Sequence, residues 1–208
     1  AGRPWSAVTF AAAAAAAAED AARLAAARGS AAADMDVAGM QHVVEAPMLK
    51  GESRLLAVAD HCPPAMRQRD TWSINDFALV KEIGSGAVSS VYYAFCRKST
   101  LRVAIKVYNK TKLTKLNQRQ VEREVAIHSK LRHPHIVEFY AAFEDSHGIY
   151  LLLEYAEGGD LFDAVKKRGG RMTEAALVKQ VLHPYLCALM YLHSRGIVHR
   201  DIKPENTV

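Results

Sequence analysis

The second half of the chain carries apolar residues at alternate positions, which is the spacing of β-strands that bury one face. The pattern begins with Phe77, Leu79 and Ile83. Further strand-like stretches, rich in β-branched and aromatic residues, lie at 91–95, 101–107, 136–143 and 149–155. A glycine-containing turn separates the first two stretches, so we expect a hairpin there. The pattern therefore predicts a mainly antiparallel sheet.

A helix is predicted over residues 117–131, because its apolar positions follow helical spacing. Val121, Val125 and His128 lie at i, i+4 and i+7, and charged residues fall on the other face. The His-Pro step at 133–134 ends this helix, since a proline restricts the backbone of the residue before it.

After residue 160 the pattern becomes helical, with helices predicted at Leu161–Lys167 and at 173–193. Thr173 suits the start of the second helix, because its hydroxyl can accept from a backbone N–H of the first turn. Pro184 lies in the interior of that helix, where it removes a backbone hydrogen bond and costs about 3 kcal/mol. We therefore expect a kink there, or a short non-helical join.

The order of the elements predicts an α+β fold with two lobes. A strand-rich lobe covers 71–153, a hinge covers 154–159, and the first helices of a second lobe cover 160–208. Residues 1–70 form an Ala-rich low-complexity tail and linker, too poor in large apolar residues to bury much surface. We expect this tail to be largely disordered apart from a local helix at 11–28, with order beginning near Trp72.

Charge is divided unevenly along the 208 residues. The first 70 residues hold seven Lys and Arg against eight Asp and Glu, whereas residues 71–208 hold twenty against fourteen. The net charge of +5 therefore comes from the second half, which suits an anionic ligand such as a nucleotide. No basic run is interleaved with aromatic residues, which argues against a nucleic-acid partner.

The cysteine content and the hydropathy of the chain indicate its cellular compartment. The three cysteines are scattered and lack metal-ligand spacing, so reduced thiols in an intracellular protein are the favoured interpretation. No uninterrupted apolar run approaches the roughly 18 residues of a membrane span. The sequence therefore predicts no membrane span.

The turn between the first two strands contains Gly84, Ser85 and Gly86. Glycines there allow a phosphate group to approach the backbone and its N–H groups. A strand follows the turn, whereas a dinucleotide site of the Rossmann type requires a helix at that place. Taken alone, a glycine-rich turn between strands is most often only a turn.

Lys106 ends the sequence Val-Ala-Ile-Lys on the third predicted strand. Strand alternation places it and Ala104 on the face beneath the glycine hairpin. The following helix carries Glu122 and Glu124, which diverge by about 200° and cannot both reach the lysine. We predict Glu124 as the partner, because it lies beside the apolar face of the helix. Without the other motifs, a solvated lysine at a strand edge is the simpler interpretation.

The segment His199–Asn206 is the strongest chemical signal in the chain. Asp201 can accept the proton of an attacking hydroxyl, and Lys203 can neutralise charge near a transferred phosphoryl group. Asn206 offers an amide oxygen to Mg²⁺, a hard cation that prefers oxygen ligands. The grouping is hard to explain as core packing, because such polar residues resist burial without partners, and a polar loop after a helix is the plain alternative. The grouping predicts phosphoryl transfer.

Taken in order, the glycine hairpin, Val-Ala-Ile-Lys, the helix glutamate and His-Arg-Asp with its later Asn resemble the eukaryotic protein kinases. The resemblance covers residues 72–208, about the first half of a kinase domain. Lys203 with the Pro-Glu-Asn after it is similar to the serine/threonine branch rather than the tyrosine branch. The segments 72–77, 123–134 and 153–156 are most similar to Aurora-type kinases, with polo-like and calmodulin-dependent kinases as close alternatives.

The resemblance implies ATP and Mg²⁺ as cofactors and a protein substrate with a Ser or Thr acceptor. It implies that Lys106, paired with Glu124, holds the α- and β-phosphates, and that Asn206 binds Mg²⁺. The stacked rings of a regulatory spine would be Phe139, His128 and His199, which are equally explained as core residues. The remaining nucleotide contacts implied by the family are Ile83, Gly84, Ser85, Gly86, Val91, Ala104, Leu153, Glu154, Ala156, Asp160, Glu205 and Val208.

Individual roles within that set also follow from the resemblance. Leu153 would be the gatekeeper, and the backbones of Glu154 and Ala156 would hydrogen-bond the base. Asp160 would reach the ribose. Val91 and Ala104 would cover the adenine from above, Ile83 would flank it, and Val208 would form the apolar floor.

Besides Pro184, the chain departs from the kinase pattern at two points. Ser89 stands in place of the third glycine of the hairpin, which stiffens the loop. The Asp-Phe-Gly segment, which supplies the principal Mg²⁺ ligand in the family, does not occur within the 208 residues, so we expect this piece alone to be inactive.

The functional alternatives are a non-catalytic pseudokinase or interaction module and, less favoured, a small-molecule phosphotransferase. The resemblance implies an intracellular location, nuclear or cytoplasmic and cytoskeletal. It also allows for an activating protein partner.

Overall fold

The computed structural model describes residues 53–208, in which six strands form one antiparallel sheet. The strands are β1 Arg54–Val58, β2 Phe77–Ser85, β3 Ser89–Cys96, β4 Arg102–Asn109, β5 Phe139–Glu144 and β6 Gly148–Glu154. Their order across the sheet is β1-β5-β6-β4-β3-β2. The predicted α+β arrangement, a strand-rich lobe followed by helices, is confirmed.

Within residues 53–208, four helices of four residues or more accompany the sheet: α1 Pro64–Arg67, α2 Lys115–His128, α3 Leu161–Lys167 and α4 Glu174–His193. Helix α2 begins two residues earlier than its apolar pattern indicates, because Thr114 caps it by accepting a hydrogen bond from the N–H of Asn117. Thr173 caps α4 in the predicted way, accepting from the N–H of Ala176.

Pro184 does not break helix α4. Two α-helical parts, Glu174–Leu177 and His183–His193, flank a π-helical stretch at Val178–Leu182. In that stretch the N–H of His183 donates to the carbonyl of Val178, five residues earlier. Such a wider turn accommodates a proline that cannot donate a backbone hydrogen bond. The predicted disruption is therefore a π-helical insertion, and the expected non-helical join was wrong.

Within residues 53–208, helix α4 alone is long and apolar enough to cross a membrane by length and composition. Glu174 and Lys179 interrupt its apolar sequence. The same length and composition fit a helix that packs against protein, so they are weak support for a membrane span.

Order begins well before Trp72, contrary to the expectation from sequence. Strand β1 pairs with β5 at one edge of the sheet, and α1 follows it. Met66 and Cys62 are buried in the same cluster as Trp72. Pro64 occupies the first turn of α1, where a missing N–H costs nothing. The predicted Ala-rich helix at 11–28 lies outside the described residues, and the division at residue 70 stays a prediction.

The two faces of the sheet pack separate apolar clusters. One face packs Phe77, Ile105 and Leu152 against the segment that contains α1. The other packs Ala104, Leu151 and Leu153 against Val121 and Val125 of helix α2. Because β-strand side chains alternate, Lys106 belongs to the second face, so helix α2 lies directly over the strand position that carries the lysine.

A third cluster joins the strand-rich lobe to helix α4. It combines Leu131 and Ile136, which follow helix α2, with Tyr185 and Leu192 of α4. The hydroxyl of Tyr191 also accepts a hydrogen bond from the N–H of Arg132 at 2.9 Å. These contacts fix the end of α2 against the helical part of the chain.

Candidate functional site

Lys106 and Glu124 form a buried ion pair between strand β4 and helix α2. The lysine Nζ lies 2.9 Å from Oε1 of Glu124, although eighteen residues separate them. Glu124 is only 3% exposed, whereas Glu122, the alternative on the same helix, faces solvent. Burial disfavours the charged form of Lys106, but the Glu124 carboxylate and Tyr108 outweigh this, so the pKa of the lysine is raised. The lysine is therefore held as a cation.

Tyr108 is a third member of this group, and the sequence analysis did not single it out. Its hydroxyl donates to Oε2 of Glu124 at 2.7 Å, and Nζ of Lys106 lies 4.9 Å from the centre of its ring. A signal was available, because residues 106 and 108 share one face of strand β4 by simple alternation. The partner of the hydroxyl, however, depends on how α2 packs.

The glycine hairpin joins β2 to β3 above Lys106. Gly84 pairs with Val91, which in turn pairs with Lys106 on the next strand. A Cβ added at Gly84 or Gly86 would make only ordinary contacts, at 3.6 Å, so packing within the protein does not require glycine at either position. The N–H of Gly86 donates to the carbonyl of Ser89 at 2.7 Å, which closes the hairpin.

Apolar residues beside the lysine form a platform of the kind that covers a flat ring. Ala104 and Leu153 face each other across β4 and β6, and both are buried. Val91 and Val208 pack at the margin of the same cluster. Ile83 stands apart from them at the exposed start of the hairpin, with 46% of its surface in solvent.

The hinge after β6 presents a defined set of backbone groups. The N–H of Glu154 donates to the carbonyl of Glu138, and the carbonyl of Ala156 accepts from Gly159. The resemblance assigns the base contacts to the backbones of Glu154 and Ala156, which lie in this segment. Asp160 caps helix α3 by accepting from the N–H of Asp163 at 2.8 Å, and partial burial raises the pKa of its carboxyl group.

The loop that follows helix α4 gathers three polar side chains. Oδ2 of Asp201 lies 3.1 Å from Nζ of Lys203 and accepts from Nδ2 of Asn206 at 2.7 Å. The same amide nitrogen also donates to the Asp201 carbonyl at 2.9 Å. Arg200, just before the aspartate, has a left-handed φ of 67°, a conformation that costs energy in a non-glycine residue and clusters at functional sites.

Backbone contacts hold this loop close to the hinge. The N–H of Leu161, at the start of α3, donates to the carbonyl of Thr207 at 2.7 Å. Glu205 is close enough to Asp160 to contribute to the raised pKa of its carboxyl group. The end of the chain, including Val208, thus returns beneath the strand-rich lobe.

The spine residues predicted from the resemblance are all buried. His128 and Phe139 have ring centres 5.5 Å apart, and Nε2 of His128 donates to the carbonyl of Val137 at 2.8 Å. Burial lowers the pKa of His128, so its imidazole is neutral. His199 is 1% exposed and lies two residues before Asp201, whose N–H donates to its Nδ1.

The donor set of the loop fits a magnesium ion that is shared with a ligand. Within residues 53–208 no group of three or more His, Cys, Asp or Glu residues forms a metal cage. Mg²⁺, however, commonly takes one or two protein oxygens together with phosphate oxygens and water. Asn206, with its amide nitrogen bonded to Asp201, can supply such an oxygen.

Comparison with known proteins supports this interpretation. The sequence pattern of the protein kinase domain matches residues 77–208. The chain is 40% identical to Aurora kinase A-A of Xenopus laevis over 147 residues, which is 69% of this chain and 35% of the relative. It is 41% identical over 138 residues to Aurora/IPL1-related protein kinase 2 of Caenorhabditis elegans, covering 65% and 44% of the two chains.

A plant relative shows that the likeness extends beyond the Aurora kinases. CBL-interacting protein kinase 11 of Oryza sativa subsp. japonica is 38% identical over 131 residues, 62% of this chain and 26% of the relative. The chain thus spans between about a quarter and less than half of the length of these relatives.

Proposed function

Since the chain belongs to the protein kinase family, we propose that it carries the ATP-binding half of a kinase that phosphorylates serine or threonine hydroxyls on proteins. The observation that carries this proposal is the Lys106–Glu124 pair, which fixes a cation beneath the glycine hairpin at 2.9 Å from its partner. A lysine held in this way neutralises the charge of the ATP phosphates. The likeness to Aurora kinases favours the same conclusion.

In the proposed complex, the nucleotide lies between the hairpin and the apolar platform. Ala104 and Leu153 contact the adenine, with Val91 and Val208 at its margins. The carbonyl of Glu154 and the N–H of Ala156 hydrogen-bond its edge. Gly84 and Gly86 carry no side chain, so the space above the phosphates stays open. Packing of the hairpin itself does not require glycine at either position. Asp160 and Glu205 face the ribose side.

In the proposed reaction, Asp201 is the general base. The substrate hydroxyl oxygen forms a bond to the γ-phosphorus while the bond from that phosphorus to the β-phosphate oxygen breaks, and the hydroxyl proton passes to the Asp201 carboxylate. Lys203 and Asn206 both contact Oδ2 of Asp201, so Oδ1 is the oxygen placed to take the proton. Lys203 also offsets charge on the transferred group. Asn206 would hold Mg²⁺, which would supply positive charge against the phosphates.

Membership of the kinase family supports general statements about the substrate class and the cellular location. We propose a protein substrate with a Ser or Thr acceptor, an intracellular location and, by analogy with the Aurora kinases, a nuclear or cytoskeletal role. A non-catalytic binding module is the alternative that the tests must separate from a kinase.

A phosphotransfer assay separates the two. The longest natural form of the protein that carries these residues is incubated with radiolabelled ATP, Mg²⁺ and a peptide mixture that contains Ser, Thr and Tyr acceptors. We expect phosphoserine and phosphothreonine, and a loss of about 10²-fold or more in rate for Asp201→Asn, because general-base catalysis contributes on that scale. ATP binding without transfer that depends on Asp201 would instead support the non-catalytic module.

A further inference from the structure

We propose that Tyr108 is a positioning residue for the nucleotide site, which locks Glu124 so that this carboxylate can hold Lys106 toward the phosphates. This inference rests on the proposed function, since it assigns a partner to the ion pair of that site. The family motif consists of the lysine and the glutamate, and the hydroxyl of Tyr108 adds a second anchor on the far side of the glutamate.

The two oxygens of Glu124 are divided between two donors. Oε1 accepts from Nζ of Lys106 at 2.9 Å, and Oε2 accepts from the hydroxyl of Tyr108 at 2.7 Å. Both donors come from strand β4, two residues apart, whereas Glu124 comes from helix α2. The carboxylate plane is therefore fixed by one strand at both of its ends.

Burial makes the second donor necessary. Glu124 is 3% exposed and Tyr108 is 5% exposed, so water does not readily replace a lost hydrogen bond. A buried carboxylate oxygen without a hydrogen-bond donor raises the free energy of the folded protein. Any conformation that keeps this oxygen buried and unpaired is therefore destabilised. Loss of the hydroxyl favours rotation of Glu124 or outward movement of α2, and either change releases Lys106.

The ring of Tyr108 has a separate role from its hydroxyl. The ring packs in the cluster that contains Val121 and Val125 of α2, and it lies 4.9 Å from Nζ of Lys106. Tyr108→Phe keeps this packing and this cation–π contact and removes only the hydrogen bond. A change in phosphate binding by this variant therefore reports the hydroxyl.

Tyr150 provides a matched control. Its hydroxyl is also buried and also donates to a carboxylate, Oδ2 of Asp145 at 3.0 Å. Tyr150 packs in the cluster on the opposite face of the sheet, away from Lys106. Tyr150→Phe thus removes an equivalent hydrogen bond from the same sheet without touching the site.

The test compares two ligands on the full 208-residue chain. Binding of a non-hydrolysable ATP analogue with Mg²⁺ reports the phosphates, and binding of adenosine reports the base pocket alone. For Tyr108→Phe we expect the dissociation constant of the ATP analogue to rise about tenfold, the scale of an unsatisfied buried group, and that of adenosine to stay unchanged. Tyr150→Phe should change neither. In a Lys106→Met background, Tyr108→Phe should have no further effect.

Two results would overturn the inference. In the first, Tyr108→Phe binds the ATP analogue as tightly as the unsubstituted chain, whereas Lys106→Met binds it more weakly. This result would contradict the role of Tyr108 but not the proposed nucleotide site. The other is an equal loss for adenosine and the ATP analogue, which would make the hydroxyl only a structural contact. If the unsubstituted chain bound neither ligand, the proposed function itself would fail, a result distinct from both.

Discussion

Buried ionisable side chains decide the chemistry of this molecule at the scale of single residues. Glu124 and His128 are 3% and 1% exposed, and Lys106 reaches the same interior to pair with Glu124, where an unpaired charge would be costly. The lysine and the glutamate satisfy each other, and the histidine stays neutral with its Nε2–H on a backbone carbonyl. The fold therefore carries one charged pair and one neutral imidazole side by side.

His128 should make stability depend on pH. Its ordinary pKa is 6.5, and burial lowers it in the folded protein. As pH falls below 6.5, the unfolded chain takes up a proton that the folded protein still excludes, so the free energy of unfolding decreases. Above that pH both states are neutral and the residue adds no pH dependence. We expect a slope of at most about 1.4 kcal/mol per pH unit from this one group.

Urea denaturation of the protein between pH 7.5 and pH 5.5 measures this slope. The His128→Gln variant keeps a donor for the Val137 carbonyl but cannot titrate, so its slope should be smaller. His133, whose pKa is also lowered by partial burial, would supply part of the slope that remains. Identical slopes for the two proteins would show that His128 is not held neutral by burial.

At this scale the sequence predicted the lysine and its partner but not the whole contact. The phase of the helix distinguishes Glu124 from Glu122, and strand alternation places Lys106 on the face beneath the hairpin. The hydroxyl of Tyr108 reaches Glu124 only because α2 packs at one particular height over β4. That height depends on packing between segments that are distant in the sequence, which no local pattern encodes.

At the scale of elements, the N-terminal part of the sheet is where local patterns fail. Strand β1 has four consecutive apolar residues after Arg54, so it lacks the alternation that identified the other strands. Its register with β5 shifts between Leu55 and Ala57, which places Leu56 in a bulge. Leu56 packs on the cluster beneath α2, whereas Leu55 is 47% exposed.

Buried cation contacts hold the segment after β1 in place and are equally invisible in the sequence. The guanidinium of Arg69 lies 4.3 Å from the ring centre of Trp72 and pairs with Asp76 at 3.2 Å. It also donates to Sγ of Cys96 and to the carbonyl of Met66. The partners come from helix α1, from the segment between α1 and β2 and from strand β3, so the role of this arginine becomes apparent only in the fold.

Neighbouring leucines in β1 offer a direct test of the strand. Leu56→Asp should lower the free energy of unfolding by about 1–3 kcal/mol, because it places a carboxylate against an apolar cluster. Leu55→Asp adds the same charge on the exposed side, and its effect should stay within about 0.5 kcal/mol. Chemical denaturation of both variants measures the difference. Equal effects would mean that β1 does not contribute to the cluster beneath α2.

At the scale of the whole molecule, two lobes bring the parts of the proposed site together. The hairpin, the lysine and the helix glutamate come from the strand-rich lobe, whereas Asp201, Lys203 and Asn206 come from the loop after α4. The alternating pattern predicted the strands and the two-lobed order. It did not predict that β4 lies beside β6 instead of β5. Helix α2 separates β4 from β5 in the sequence, and the alternating pattern does not show which strands pair.

The central claim is that Lys106, held by Glu124, binds the phosphates of a nucleotide. Calorimetric titration of the 208-residue chain with a non-hydrolysable ATP analogue and Mg²⁺ tests it most directly, with Lys106→Met as the variant. Lys110→Met is the control, because it removes the same charge from an ion pair with Glu144 just beyond the end of the same strand.

We predict that the unsubstituted chain and Lys110→Met bind the analogue with equal affinity, and that Lys106→Met binds about tenfold more weakly or worse, as expected for a lost charged contact. Equal affinity for all three proteins, or no binding by any of them, would contradict the account.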